Sequence, residues 1–233
     1  MKAVANLMNE ALRLCYPHFC SGCGKDDLQR SDLICTQCLH NLPYTNFELV
    51  NDNPVADVLK VRLNVSSAAS TFYFHKGNIV QNLLHELKYK QNRAIGLYLG
   101  RLMGKKLLEN SKYKSVDALL PLPLYAAKEQ QRGYNQAALI CKGIALETNI
   151  PVLNNILVRK RATETQTRKH RAERWENVAG SFTITDTSKL ESKQVLLVDD
   201  VLTTGATLEA AGAVLTSVKG LELHILTAAF AKS

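Results

Sequence analysis

The stretch Val195-Leu196-Leu197-Val198-Asp199-Asp200-Val201-Leu202-Thr203-Thr204-Gly205-Ala206-Thr207-Leu208 decides the reading of this chain. An apolar run of strand character meets two adjacent carboxylates, then a Thr/Gly-rich turn, then a helix-like segment. That order suits a bound phosphosugar. Backbone N–H groups in a turn that opens a helix can cradle a phosphate, and the helix dipole favours its negative charge. Thr203, Thr204 and Thr207 add hydroxyl donors, and Gly205 takes backbone angles that other residues resist. Asp199 and Asp200, at the strand's carboxyl end, can accept hydrogen bonds from ribose hydroxyls or hold water on a magnesium ion. A purely structural strand end gains nothing from two neighbouring carboxylates, which repel each other. Other nucleotide-binding turns fit worse, because the chain has no G-x-x-x-x-G-K-[ST] and no G-x-G-x-x-G between a strand and a helix.

A length of 233 residues suits one substantial domain with a small appendage. Twenty-nine basic residues against 21 acidic ones leave a net charge of +8. The surplus favours anionic partners, phosphosugars or nucleic acid, without choosing between them. No apolar run approaches the roughly 18 residues of a stable membrane span. Val4, Leu7, Met8, Ala11 and Leu12 have helical spacing, but Asn6, Asn9, Glu10 and Arg13 interrupt them, which excludes a secretory signal peptide. The expected location is the cytoplasm.

In a reducing compartment six cysteines point to thiolate–metal chemistry before disulfides. Cys20-x2-Cys23 and Cys35-x2-Cys38 are two C-x2-C pairs with eleven residues between them. Each pair places two sulfurs on one side of a tight knuckle, and two knuckles complete a tetrahedral, structural Zn2+ site. Protein fills all four positions, so the zinc is not catalytic. Cys15 and Cys141 lie outside the pattern and read as small core residues.

Three divisions are expected: residues 1–45 with an N-terminal helix and the zinc module, a connector over 46–67, and the main domain over 68–233. In that domain, strands at 69–74, 116–122, 156–158, 195–198 and 223–230 alternate with helices at 79–87, 95–107, about 131–147 and from Thr204 onward. The alternation predicts an α/β fold with a largely parallel sheet flanked by helices. Ligands of such sheets sit beyond the strands' carboxyl ends, where Asp199 and Asp200 fall.

Two further segments could carry chemistry. Leu120-Pro121-Leu122-Pro123-Leu124 leads to Gln131-Arg132-Gly133-Tyr134-Asn135-Gln136, a proline-constrained turn and then Arg-Gly before a helix. Arg132 can pair its planar guanidinium with phosphate oxygens, or be a solvated arginine in an ordinary loop. The segment Val158–Arg174, which includes Lys160 and Arg161, holds seven Lys or Arg and two acidic residues without a sustained apolar face. It reads as a solvent-exposed excursion, able to close over a phosphate ligand or meet a nucleic-acid backbone. Lys88 is a weaker phosphate-contact candidate, and Trp175 reads as core.

The Val195–Leu208 stretch resembles the phosphoribosyl-pyrophosphate (PRPP) motif of the type I phosphoribosyltransferases. With Cys20/Cys23/Cys35/Cys38, Leu87-Lys88-Tyr89, Pro121-x-Pro123, Arg132-Gly133-Tyr134-Asn135-Gln136, and Thr163-x-x-Gln166 with Asn177-Val178, the chain resembles the competence protein F (ComF/GntX) family over nearly its whole length. The resemblance implies a type I phosphoribosyltransferase fold with an N-terminal zinc module. It also implies a role in DNA uptake for natural transformation, with single-stranded DNA and competence-machinery proteins as partners. Carried over, Asp199 and Asp200 bind the ribose hydroxyls of PRPP, or of another phosphoribosyl ligand, in the presence of Mg2+. Thr203, Thr204, Gly205, Ala206 and Thr207 hold the 5′-phosphate, Arg132 faces the pyrophosphate, and Lys160 and Arg161 belong to the closing loop. Two functions follow: a PRPP-dependent transferase of unidentified acceptor, or a non-catalytic adaptor that senses PRPP or binds nucleic acid.

Overall fold

A computed structural model describes residues 18–26, 28, 32–160 and 180–231. The expected N-terminal helix with Cys15, the basic segment from Arg161 through Thr163, Gln166 and Arg174, Trp175, and Asn177-Val178 lie outside the described residues.

In chain order the elements are α1 (Thr36–His40), α2 (Pro54–Lys60), β1 (Ser67–Phe74), α3 (Ile79–Tyr89), α4 (Arg93–Leu108), β2 (Ala118–Pro121), α5 (Ala126–Arg132), α6 (Gln136–Thr148), β3 (Leu157–Arg159), β4 (Phe182–Ile184), β5 (Gln194–Leu202), α7 (Ala206–Thr216) and β6 (Glu222–Ala231). Strands β1, β6, β5 and β2 lie in that order, every pair parallel. Val195–Val198 are wholly buried, as a strand covered on both faces requires. Flanking helices close the core. Among the described residues no helix is long and apolar enough to cross a membrane.

The expected strand at 156–158 forms over Leu157–Arg159, but outside the parallel sheet. It pairs antiparallel with β4. The edge of β2 is taken instead by Val152, bridged to Leu119, whose N–H donates to Pro151 O at 2.8 Å and whose carbonyl accepts from Leu153 N at 2.9 Å. The segment read as a connector contains α2, which Asn53 caps through Val55 N and Ala56 N, both at 3.0 Å, with Pro54 in its first turn. The helix expected from about 131 is two helices, broken at Gly133, which takes a left-handed φ of 75°.

Helices α4 and α6 touch backbone to backbone. A Cβ built on Gly100 would fall on the carbonyl oxygen of Ile140 and lie 2.8 Å from Gly143 Cα, so only glycine fits. Cys141 is fully buried as expected, and burial pushes its thiol well up. His224 is also buried, with Nδ1 2.8 Å from Ser67 Oγ, and burial holds its pKa down.

Candidate functional site

All four parallel strands end on one edge, and the loops leaving that edge enclose a cleft of about 530 Å³. From β5 and its turn come Asp199, Asp200, Val201 and Thr203, and from the first turn of α7 comes Thr207. The turn after β2 contributes Leu122, Pro123 and Leu124, and α5 contributes Lys128 and Arg132. Helix α3 presents Gln81, Leu84, His85, Lys88 and Tyr89, while Phe74 of β1 and Arg159 of β3 complete the wall. Thus Asp199, Asp200, Arg132, Thr203 and Thr207 meet in one place. Thr204, Gly205, Ala206 and Lys160 do not line it, and Arg161 is outside the described residues.

The carboxylate pair is asymmetric. Asp200 accepts from Lys88 Nζ at 3.0 Å, and its backbone N–H donates to Asp199 Oδ1 at 2.8 Å. Burial and then the charge of Asp200 push Asp199 up to about 8, against that N–H and the cations Lys88 and Arg159. Asp199 therefore keeps a proton near neutral pH in the ligand-free cleft.

Beyond the pair, Gly205 turns the chain with φ 80°, and a Cβ there would press on Leu59 and Val58 at 3.3 Å each. Gly205 is also the N-cap of α7, and among the described residues no side chain caps that helix. The first-turn N–H groups of α7 are therefore left without a side-chain acceptor beside Thr203 and Thr207, an arrangement suited to phosphate.

The Arg132–Gln136 segment divides its labour. Tyr134 donates its hydroxyl to the carbonyl of Leu87, tying the segment to α3. Asn135 caps α6 through Ala137 N at 2.9 Å and donates to Leu122 O at 2.9 Å, fixing the proline turn. Arg132 donates to Gln136 Oε1 at 2.8 Å while lining the cleft.

Sequence reasoning passed over His85, quoted Tyr89 only within the Leu87-Lys88-Tyr89 motif, and counted Arg159 only as one cation of the basic segment. On β3 the alternation of faces turns Arg159 inward, where its guanidinium lies 3.6 Å from the Tyr125 ring centroid, and leaves Lys160 exposed. His85 and Tyr89 stand four residues apart with ring centroids 5.0 Å apart, and Tyr89 is 68% exposed. Helical spacing pairs those two rings, but only the tertiary fold brings them to the carboxylates.

A second cluster lies near the other end of α3. The sulfurs of Cys20, Cys23, Cys35 and Cys38 all fall within 4.8 Å of one another, and Cys23 and Cys35 are 3.9 Å apart. Metal–sulfur bonds of about 2.3 Å in a tetrahedron put sulfurs about 3.8 Å apart, so the cluster fits a metal ion such as zinc. Backbone N–H groups point at the sulfurs: Cys35 N lies 3.2 Å from Cys20 Sγ, and Cys38 N lies 3.4 Å from Cys35 Sγ. Burial raises Cys20, but the N–H groups of Cys35, Cys23 and Gly22 outweigh it and bring the thiol down to about 7. Burial and the neighbouring sulfurs push Cys38 far up. The knuckle is docked on α3, where Asn82 Nδ2 donates to Gly22 O at 2.7 Å.

The phosphoribosyl transferase domain family matches residues 135–233. Competence protein F of Haemophilus influenzae is 33% identical over 130 residues, covering 54% of this chain and 57% of that protein. The DNA utilization protein YhgH of Salmonella typhimurium is 28% identical over 128 residues, covering 54% and 56%. The matched region thus spans little more than half the length of these relatives. Among solved structures, a glutamine PRPP amidotransferase from B. subtilis, complexed with ADP and GMP, is 19% identical with a TM-score of 0.42, covering 58% of this chain and 26% of that one. Residues 135–233 thus match a phosphoribosyl transferase domain, about half of the chain is similar to competence protein F, and the parallel sheet flanked by helices is that of a type I phosphoribosyltransferase-like fold.

Proposed function

We propose that the cleft binds PRPP, or another phosphoribosyl ligand, with magnesium, and that the chain serves DNA uptake in the cytoplasm by handling imported single strands. The observation that carries the reading is one cleft holding Asp199–Asp200, the uncapped start of α7 and the cations Arg132, Lys88 and Arg159. In this reading Asp199 and Asp200 accept from the ribose hydroxyls. The Thr203–Thr207 turn donates to the 5′-phosphate, with Gly205 and Ala206 supplying backbone. Arg132 faces the diphosphate, and Lys160 and Arg161 belong to the segment that closes above it. When bound, magnesium supplies charge stabilisation at the diphosphate, and the carboxylates and their hydrogen-bonded water are its fitting partners. Departure of pyrophosphate from ribose C1 leaves positive character on the sugar, which the nearby carboxylates stabilise. Zinc in the four-cysteine cluster is structural. The DNA role draws on the names of the relatives, Competence protein F and DNA utilization protein YhgH, and on the net charge of +8.

The test is incubation with PRPP, Mg2+ and pools of bases, amines or nucleic acids, measuring pyrophosphate. Acceptor-dependent release establishes a transferase. Binding without release assigns the adaptor role, and no binding removes the proposal.

A further inference from the structure

Lys88 stands in the last turn of α3, on the cleft side of a helix whose Leu83 and Leu87 are fully buried. Its Nζ is 3.0 Å from Asp200 Oδ1, with 20% of the lysine side chain and 13% of the aspartate side chain exposed. Exposed ion pairs are loose and contribute little, whereas a pair this shielded costs desolvation on both sides. Packing does not require the charge, because α3 is already held by its buried leucines and by the Tyr134 hydroxyl on the Leu87 carbonyl. The cleft's two arginines have other contacts, Arg132 with Gln136 and Arg159 on the face of Tyr125. Among the described residues Lys88 is the cation paired with Asp200.

A bare divalent ion approaching Asp200 meets that ammonium first. A diphosphate instead brings oxygens to which the ammonium can turn. We propose that Lys88 is a resident counter-ion: it occupies Asp200 in the ligand-free cleft, excludes bare divalent cations from the pair, and transfers to the diphosphate when a phosphoribosyl ligand arrives. The inference rests on the reading of the cleft as a PRPP site and adds an order of events. Metal enters with the ligand and not ahead of it.

The experiment uses the full chain and Mn2+ as probe, following the spin-resonance signal of free Mn2+ with and without PRPP. Wild type is expected to take up Mn2+ at the cleft only with PRPP present. Lys88→Met keeps an unbranched side chain one atom shorter and removes its charge. It is expected to bind Mn2+ alone at least about tenfold more tightly than wild type, a gain abolished by adding Asp200→Asn. The same variant should bind PRPP at least about tenfold more weakly by calorimetry, and Lys88→Arg should restore both properties. A merely damaged fold cannot move the two affinities in opposite directions. Equal Mn2+ binding by wild type and Lys88→Met without PRPP overturns the inference, as does undiminished PRPP affinity in Lys88→Met. Failure of wild type to bind PRPP strikes the assignment of the cleft instead, and the Mn2+ measurement without PRPP decides on Lys88 by itself.

Discussion

Asp199 keeps its proton up to about pH 8 in the folded chain but loses it near its ordinary value of 3.8 when unfolded. Between those values folding takes up a proton, so the contribution to stability is full below about pH 4 and declines until about pH 8. Asp199→Asn removes that dependence. Melting temperatures measured from pH 5 to pH 8.5 should fall more steeply for wild type than for the variant; parallel curves would refute the burial-driven shift. Asp200 is expected to act on ligand. Asp200→Ala should weaken PRPP binding by at least about 1.5 kcal/mol, the worth of a charge-assisted hydrogen bond, and equal affinity by calorimetry would remove Asp200 from the site. Asp199, Asp200 and Arg132 could be picked out along the sequence because their neighbours form a local pattern of strand, turn and helix. Lys88 and Arg159 reach the cleft through tertiary packing, from elements far from the motif in sequence. Lone cations at a helix end or a strand end carry no signal that separates them from solvated ones.

At the scale of elements, the contact between α4 and α6 has no room for a methyl group. Gly100→Ala should cost about 1–3 kcal/mol in chemical denaturation, because backbone and not a flexible side chain stands in its way. An unchanged midpoint would mean that the two helices can separate without loss. Periodicity made α3 and α4 legible, since Ile79, Leu83, Leu84 and Leu87, then Ile95, Leu99 and Met103, repeat at helical spacing. It failed for α2 and α5, which are seven residues each and too short for a repeat to emerge. The Asn53-Pro54 cap of α2 was the available sign. Strand character at 156–158 was also legible, one residue from the observed Leu157–Arg159, but composition does not tell which neighbour a three-residue strand pairs with, and its partner β4 is equally short.

Over the whole molecule, α3 joins the cysteine cluster at one end to the carboxylates at the other, through Asn82 on Gly22 and Lys88 on Asp200. Metal analysis after purification without added zinc should give one zinc per chain, and a folded, metal-free protein with four free thiols would refute the structural zinc. Cys35→Ser should raise amide hydrogen exchange in the knuckles and in the first turn of α3 more than in β5. Uniform protection would show that the cluster supports nothing beyond itself. The sheet order has a consequence for how the chain is made. Strand β6 lies between β1 and β5, so Ser67 must wait for His224, and a ribosome has to deliver almost the entire chain before β1 finds its partner in the sheet. Until then β1 presents an apolar edge without a mate, a period of exposure to aggregation during synthesis. A premature stop before residue 222 would not trim an end: it would take out the strand that joins β1 to the pair β5 and β2, leaving two fragments with nothing between them.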